Sequence, residues 1–213
     1  YILDINMKTL DLFSGTKSFS KIAEKLGYES TTLDILEKFN PTICIDIMKW
    51  DYTKYRTGYF DIIWASPNCK DYSCLNYLSG KVKDLTESNN LIKRVLEIIA
   101  YFKPKYWFLE NPQTGKLKHQ DFMKDLPYND IDYCKYGFTY RKRTRIWNNT
   151  NWTGNPLCKK NQYCDHRIDG KHTNFRSIVG KGGGTRWEQR ISIPSDLIMQ
   201  ILKTINFNIS NQL

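Results

Sequence analysis

Apolar positions along the first 110 residues fall into short runs separated by polar stretches. Residues 9–13, 31–34, 42–46, 60–66 and 105–110 are each predicted to be strands, four to seven residues long, and all but 31–34 are mostly apolar, as strands buried on both faces are. Between the first two, Phe19, Ile22, Ala23 and Leu26 recur at helical spacing over 17–26, with Gly27 as the stop. A second helix carries Leu91, Ile92, Val95, Leu96, Ile99 and Phe102 on one face. The pattern then predicts a short helix at 121–126 and a hairpin-like pair at 128–136 and 144–148. Over 149–187 the periodicity fades into Gly, Asn, Lys and Arg with scattered aromatics (Trp152, Phe175, Trp187) and a glycine loop at 180–184. Ile193 and Pro194 open a closing helix that runs to about residue 205, with Pro in its first turn. Strands alternating with helices predict an α/β fold on a mostly parallel sheet.

In such sheets, ligands meet the chain at the carboxyl ends of the strands. The first strand runs through a Gly15-containing turn into a helix, the opening of a nucleotide-type unit, though the order of residues 15–18 is not that of a phosphate-binding P-loop. Asp34 and Asp46 end the next two strands, where a carboxylate accepts hydrogen bonds from ribose hydroxyls; either could equally be a strand-end or cap residue. The run 60–66 stops at Pro67 and Asn68, immediately before Cys69. A lone cysteine there has two readings, a half-buried structural thiol or a nucleophile. Glu110 ends the next strand, on the same predicted edge as Cys69, with Asn111 and Pro112 as its stop.

Charge sharpens the picture. The 213 residues carry a formal net charge of +10, with 18 Lys/Arg against 18 Asp/Glu in residues 1–134 and 14 against 4 in 135–213. A neutral body with a basic end is the footprint of a polyanionic partner such as nucleic acid. No apolar run reaches the length of a membrane span, and no signal-peptide pattern opens the chain. The six cysteines include no Cys-x-x-Cys pair; an intracellular, reducing setting is expected.

Taken together and in order, these residues resemble the DNA cytosine-5 methyltransferase family. Residues 11–15 (Asp11 to Gly15) resemble its opening motif, and Asp61 through Cys69 to Ser73 its Pro-Cys-Gln-x-Phe-Ser nucleophile motif. Glu110, Asn111 and Pro112 resemble its Glu-Asn-Val motif, Arg143 and Arg145 its paired arginines, and residues 193–197 its closing cofactor-proximal motif. Asn68 stands where the family has Pro, Pro112 where it has Val, and Arg141 where it has Gln. The resemblance implies a Rossmann-like class I methyltransferase fold with helices on both faces of the sheet and a small basic irregular insertion. It divides the chain into a catalytic domain at 1–148, a target-recognition-like segment at 149–190 and a C-terminal helix at 191–213. It implies S-adenosylmethionine as cofactor, held by Asp11, Phe13, Ser14, Gly15, Thr16, Asp34, Asp46, Ile47, Ser66 and Pro67. Cys69 would be the nucleophile, its thiol made more acidic by a helix N-terminus or a nearby Arg. Glu110 would hold the base, Arg143 and Arg145 would orient the base, the nucleophile loop or an adjacent phosphate, and residues 70–85 would form a closing loop. DNA is the implied partner, with base flipping; an RNA-directed relative and a catalytically decayed DNA-binding homologue are the alternatives.

The basic segment holds one further pattern. Cys158, Cys164, His166 and His172 lie within fifteen residues, a donor set suited to tetrahedral zinc. The alternative is that these are unrelated polar-loop residues.

Overall fold

The computed structural model describes residues 7–73, 83–159, 163–168, 171–172 and 186–210. The glycine loop, Phe175 and most of the expected closing loop lie outside them.

Seven strands form one sheet in the order β3-β2-β1-β4-β5-β7-β6. They are β1 (Lys8–Leu12), β2 (Glu29–Asp34), β3 (Ile43–Cys44), β4 (Ile62–Ala65), β5 (Tyr106–Pro112), β6 (Tyr128–Asp132) and β7 (Arg143–Asn148). The first five are parallel, while β7 runs antiparallel to both β5 and β6. Side chains alternate across the sheet. Ile62, Trp64, Phe108 and Ile146 face one layer; Ile63, Ala65, Leu109 and Trp147 face the other. Helix α1 (Ser18–Lys25) packs on the first layer through Phe19, Ile22 and Ala23, and helix α2 (Thr86–Phe102) covers the second through Val95, Ile98 and Phe102. Burial on both faces is why β4 reads as an unbroken apolar run rather than as an alternation. Trp64 is stacked between Phe19 and Phe108, with ring centroids 5.1 and 5.6 Å away.

A six-residue helix, α3 (Arg186–Ile191), ends the basic segment, and a 16-residue helix, α4 (Ser195–Ser210), follows it. Helix α4 lays Leu197, Ile198, Ile201, Leu202 and Ile205 on the first layer beside α1. A two-stranded ribbon, β8 (Arg167–Ile168) and β9 (Lys171–His172), stands apart from the main sheet.

Three boundaries differ from the sequence reading. Strand β5 continues through Asn111 and Pro112, which pair with Arg145 and Thr144 of β7; Pro is tolerated because it is the strand's last residue. The strand expected at 42–46 shortens to two residues, since Asp46 instead opens a turn in which it accepts a hydrogen bond from the Met48 amide at 3.0 Å. Trp152, one of the scattered aromatics of the stretch read as irregular, belongs to the core: it is 2% exposed, and its indole N–H donates to Gln200 Oε1.

Candidate active site

The parallel strands β1 and β4 end level, Leu12 beside Ala65, while β5 pairs with Ala65 through Leu109 and runs on three residues along β7. The turn 13–17, the loop 66–69 and the tip of β5 at 110–112 therefore meet at the same edge. They enclose a cavity of about 250 Å³. Asp11, Phe13, Ser14 and Gly15 line its floor; Ser66, Pro67, Asn68 and Cys69 form one side; Glu110 and Pro112 form another. An adjoining cavity of about 520 Å³ shares Phe13, Asp34 and Asn68 and is closed by Asp46, Ile47 and Met48.

The first turn is held in an unusual backbone conformation. Phe13, Gly15 and Lys17 all have positive φ, at 58°, 46° and 58°. The Asp34 carboxylate fixes this turn, accepting from the Gly15 amide at 2.8 Å and the Leu36 amide at 2.9 Å. A Cβ on Gly15 would come within 3.3 Å of Ile191 Cδ1, so the residue must be small as well as left-handed. Asp11 is buried beneath the turn and accepts from the Ser20 amide at 3.3 Å. Burial pushes its carboxyl up to about 7, partly offset by that bond. Ser14 Oγ is buried without a hydrogen-bond partner. Thr16 is turned away from this cavity; its hydroxyl lies 3.0 Å from Ser18 Oγ and 3.4 Å from Ser192 Oγ.

In the loop 66–69, Asn68 stands where the resemblance expects proline. Its Oδ1 accepts from the Lys70 amide at 2.9 Å, closing a tight turn around Cys69. Asn111 Nδ2 donates to the Pro67 carbonyl at 3.1 Å and ties this loop to the tip of β5. Residues 70–72 form a turn, and Asp71 within it is paired with Lys83 and bonded to Ser88. The expected lowering of the Cys69 thiol is not what its surroundings produce. Burial pushes the Cys69 thiol up, while the charges of Lys142 and Arg190 pull it back and Glu110 adds to the rise.

Glu110 is 5% exposed, and its Oε1 accepts from Tyr133 at 2.9 Å and from Lys142 Nζ at 3.3 Å. The paired arginines point elsewhere. Arg143 binds Asp132 through two nitrogens at 3.1 and 2.8 Å, and Arg145 binds Asp130 at 2.7 and 2.9 Å. The period of β7 explains this: side chains two apart share a face, so Lys142 turns into the cavity and its neighbour Arg143 turns out. Lys142, Arg190 and Ile191 are among the cavity residues that sequence reasoning missed, whereas Ile193 belongs to the closing motif it singled out. Strand parity could have found Lys142. Arg190 and Ile191 carry no periodic signal, and α3 falls within the stretch read as irregular.

A strand–turn–helix receiver, a thiol and a carboxylate thus share one sheet edge, and comparison with known proteins shows the family of the chain that builds it. The family model described as C-5 cytosine-specific DNA methylase matches residues 7–141. The chain belongs to the cytosine-5 DNA methyltransferase family. A probable DNA (cytosine-5)-methyltransferase of Frog virus 3 (isolate Goorha) is 33% identical over 217 residues, covering 92% of this chain and 99% of that protein. Among solved structures, a putative DNA modification methyltransferase encoded within an E. coli prophage is similar in fold, with a TM-score of 0.51 at 16% identity. That likeness covers 67% of this chain and 46% of that one, so the chain spans less than half of the solved relative. As a member of this family, the methyltransferase has S-adenosylmethionine as its expected cofactor. No helix among its described residues is long and apolar enough to cross a membrane.

The small basic segment also takes shape. Residues 149–158 lie against the catalytic body: the Asn155 amide donates to Tyr136 Oη at 2.7 Å and the Cys158 amide to Asp132 at 2.9 Å. Cys158, Cys164 and His172 come together as expected, but the fourth member of the cluster is Cys134 and not His166. Cys134 follows β6, twenty-four residues before Cys158, and folding rather than local spacing delivers it. Pairing of Arg167 with His172 across the β8–β9 ribbon brings His172 back towards Cys164.

Proposed function

We propose that the protein transfers a methyl group to C5 of cytosine in DNA, through a covalent bond between Cys69 and C6 of a flipped-out base. The observation that carries this reading is the shared cavity of Cys69 and Glu110 beside the Gly15 turn. The cofactor fits the residues present: Ser14 Oγ is a buried polar atom awaiting a partner, Gly15 permits close approach, and Asp34 and Asp46 line the adjoining cavity where ribose hydroxyls need acceptors. Thr16, outside the cavity, would act by holding the turn to Ser192. When bound, the cofactor supplies an electrophilic methyl group.

The chain's residues prepare the base to take it. Cys69 Sγ, as thiolate, forms a bond to C6, and the ring's electron pair shifts towards C5. Glu110 holds the N3 edge and shares a proton with it as charge builds there. Both Tyr133 and Lys142 bond to Oε1, so Oε2 is the oxygen assigned to the base. C5 takes the methyl group; its proton then passes to solvent, the C–H electron pair re-forms the C5–C6 double bond, sulfur leaves as thiolate and Glu110 recovers the proton it shared with N3. Lys142 is assigned the stabilising positive charge between thiolate and carboxylate. Arg143 and Arg145, each held by an aspartate, are assigned to fixing the β6–β7 edge.

Methylation of DNA and RNA substrates side by side, with bisulfite sequencing, tests the reading. 5-Methylcytosine in DNA is expected; methylation of RNA alone would overturn the choice of substrate. The basic last third of the chain, with Arg141, Lys159, Lys171 and Arg190 exposed, supports a nucleic-acid substrate, and membership of a DNA methylase family favours DNA. Binding to duplex DNA, measured by fluorescence anisotropy, should therefore weaken steeply from about 50 to about 200 mM salt; a flat response would count against an electrostatic interface.

Asp11 gives a pH signature. A buried carboxyl at about 7 is largely protonated in slightly acid solution. A cationic ligand stabilises its ionised form, so binding should release protons near pH 7. Affinity for the cofactor should rise with pH up to about 7, by up to about tenfold per unit. Calorimetry in buffers of different ionisation enthalpy measures the proton count, and Asp11→Asn should remove it.

A further inference from the structure

We propose that Cys134, Cys158, Cys164 and His172 bind a structural zinc ion that fastens the basic segment to the β6–β7 edge. The donor atoms of these four residues all lie within 4.8 Å of one another. His172 Nε2 is 3.6 Å from Cys158 Sγ and 3.4 Å from Cys164 Sγ. A tetrahedron with zinc–sulfur bonds of about 2.3 Å and a zinc–nitrogen bond of about 2.0 Å has sulfur–nitrogen edges of roughly 3.5 Å. The two separations to Cys158 and Cys164 match that length.

The surroundings fit a metal better than a group of free thiols. The three cysteines are 1–6% exposed and unoxidised, and they form a buried cluster among themselves with no other apolar residue in it. Three thiols make a poor hydrophobic core, whereas bound zinc supplies folding energy directly. The ribons of β8 and β9 are two residues each, too short to persist unaided. Binding would release the thiol protons to solvent and leave three thiolates and a dication with one net negative charge. Arg167 is placed to offset it, with Nη2 3.4 Å from Cys158 Sγ. Soft sulfur donors with one imidazole favour zinc over the hard cations.

The location gives the ion a task. Cys134 directly follows Tyr133, which bonds Glu110, and the Cys158 amide donates to Asp132, the partner of Arg143. The metal would thus set the basic segment next to the carboxylate that the proposed chemistry uses. The site itself stands on the donor geometry and is independent of that chemistry.

The test is metal analysis of the reduced, full-length protein, purified and then supplied with zinc. One zinc per chain is expected, and cobalt in its place should give the visible bands of a tetrahedral thiolate site. His166→Ala should keep the metal, whereas Cys134→Ser and His172→Ala should lose it. Differential alkylation covers the case in which those two variants fail to fold. In the zinc-loaded wild-type chain, exposed Cys44 should react while Cys134, Cys158 and Cys164 are protected until chelator is added. Absence of bound zinc, loss of metal from His166→Ala but not Cys134→Ser, or alkylation indifferent to chelator would each overturn the site. None of these readouts requires methylation, so failure here and failure of the proposed function are separable.

Discussion

Cys69→Ala is expected to abolish methyl transfer and, with it, the covalent adduct formed on DNA containing 5-fluorocytosine. Fluorine at C5 leaves no proton to remove, so the wild-type enzyme should be trapped after methyl transfer with its S–C6 bond intact. The trapped complex survives denaturing electrophoresis and reports the bond directly. Losing the nucleophile should cost more than about 10³-fold in rate, since the remaining groups can only position the reactants. Because burial raises the Cys69 thiol, adduct formation should also accelerate as pH rises above neutrality, with more thiolate present at each step. An adduct persisting in Cys69→Ala would move the nucleophile elsewhere in the chain.

Glu110→Gln is the second large effect. The amide keeps the side chain's shape and an oxygen that can still accept from Tyr133 and Lys142. It cannot share a proton with N3 as the carboxyl does. Methylation should fall by about 10²- to 10⁴-fold, while cofactor affinity, read separately by calorimetry, should stay near the wild-type value. Full activity in this variant would remove Glu110 from the chemistry. Loss of cofactor affinity instead would make it a structural residue of the cavity wall.

How much of this could be read from the chain depended on whether the information was local. The strand tips were legible because a buried parallel strand writes itself as a continuous apolar run, and Cys69 and Glu110 lie just at or past such runs. The turn at Gly15 was legible because a strand, a glycine and an amphipathic helix follow one another without a gap. What escaped was set by pairing across the fold. Arg143 and Arg145 attract attention as arginines, but the parity of β7 hands the cavity to Lys142, and parity is fixed by register against β5. Cys134 escaped because its companions are brought to it by the β6–β7 hairpin, whereas His166 lay temptingly beside Cys164. Trp152 resembled a surface aromatic because its burial partner, Gln200, lies forty-eight residues onward.

The contact between Thr16 and Ser192 joins residues 176 positions apart, and Tyr28 reaches Asn206 across 178. On a ribosome, the first strand and helix would emerge long before the residues that roof their cavity. Until α4 emerged, the sheet face holding Trp64, Phe108 and Ile146 would lack one of its two helical covers. Cofactor binding would therefore come late in synthesis, and the nascent chain would spend most of its translation with an apolar face open to chaperones or to misassociation.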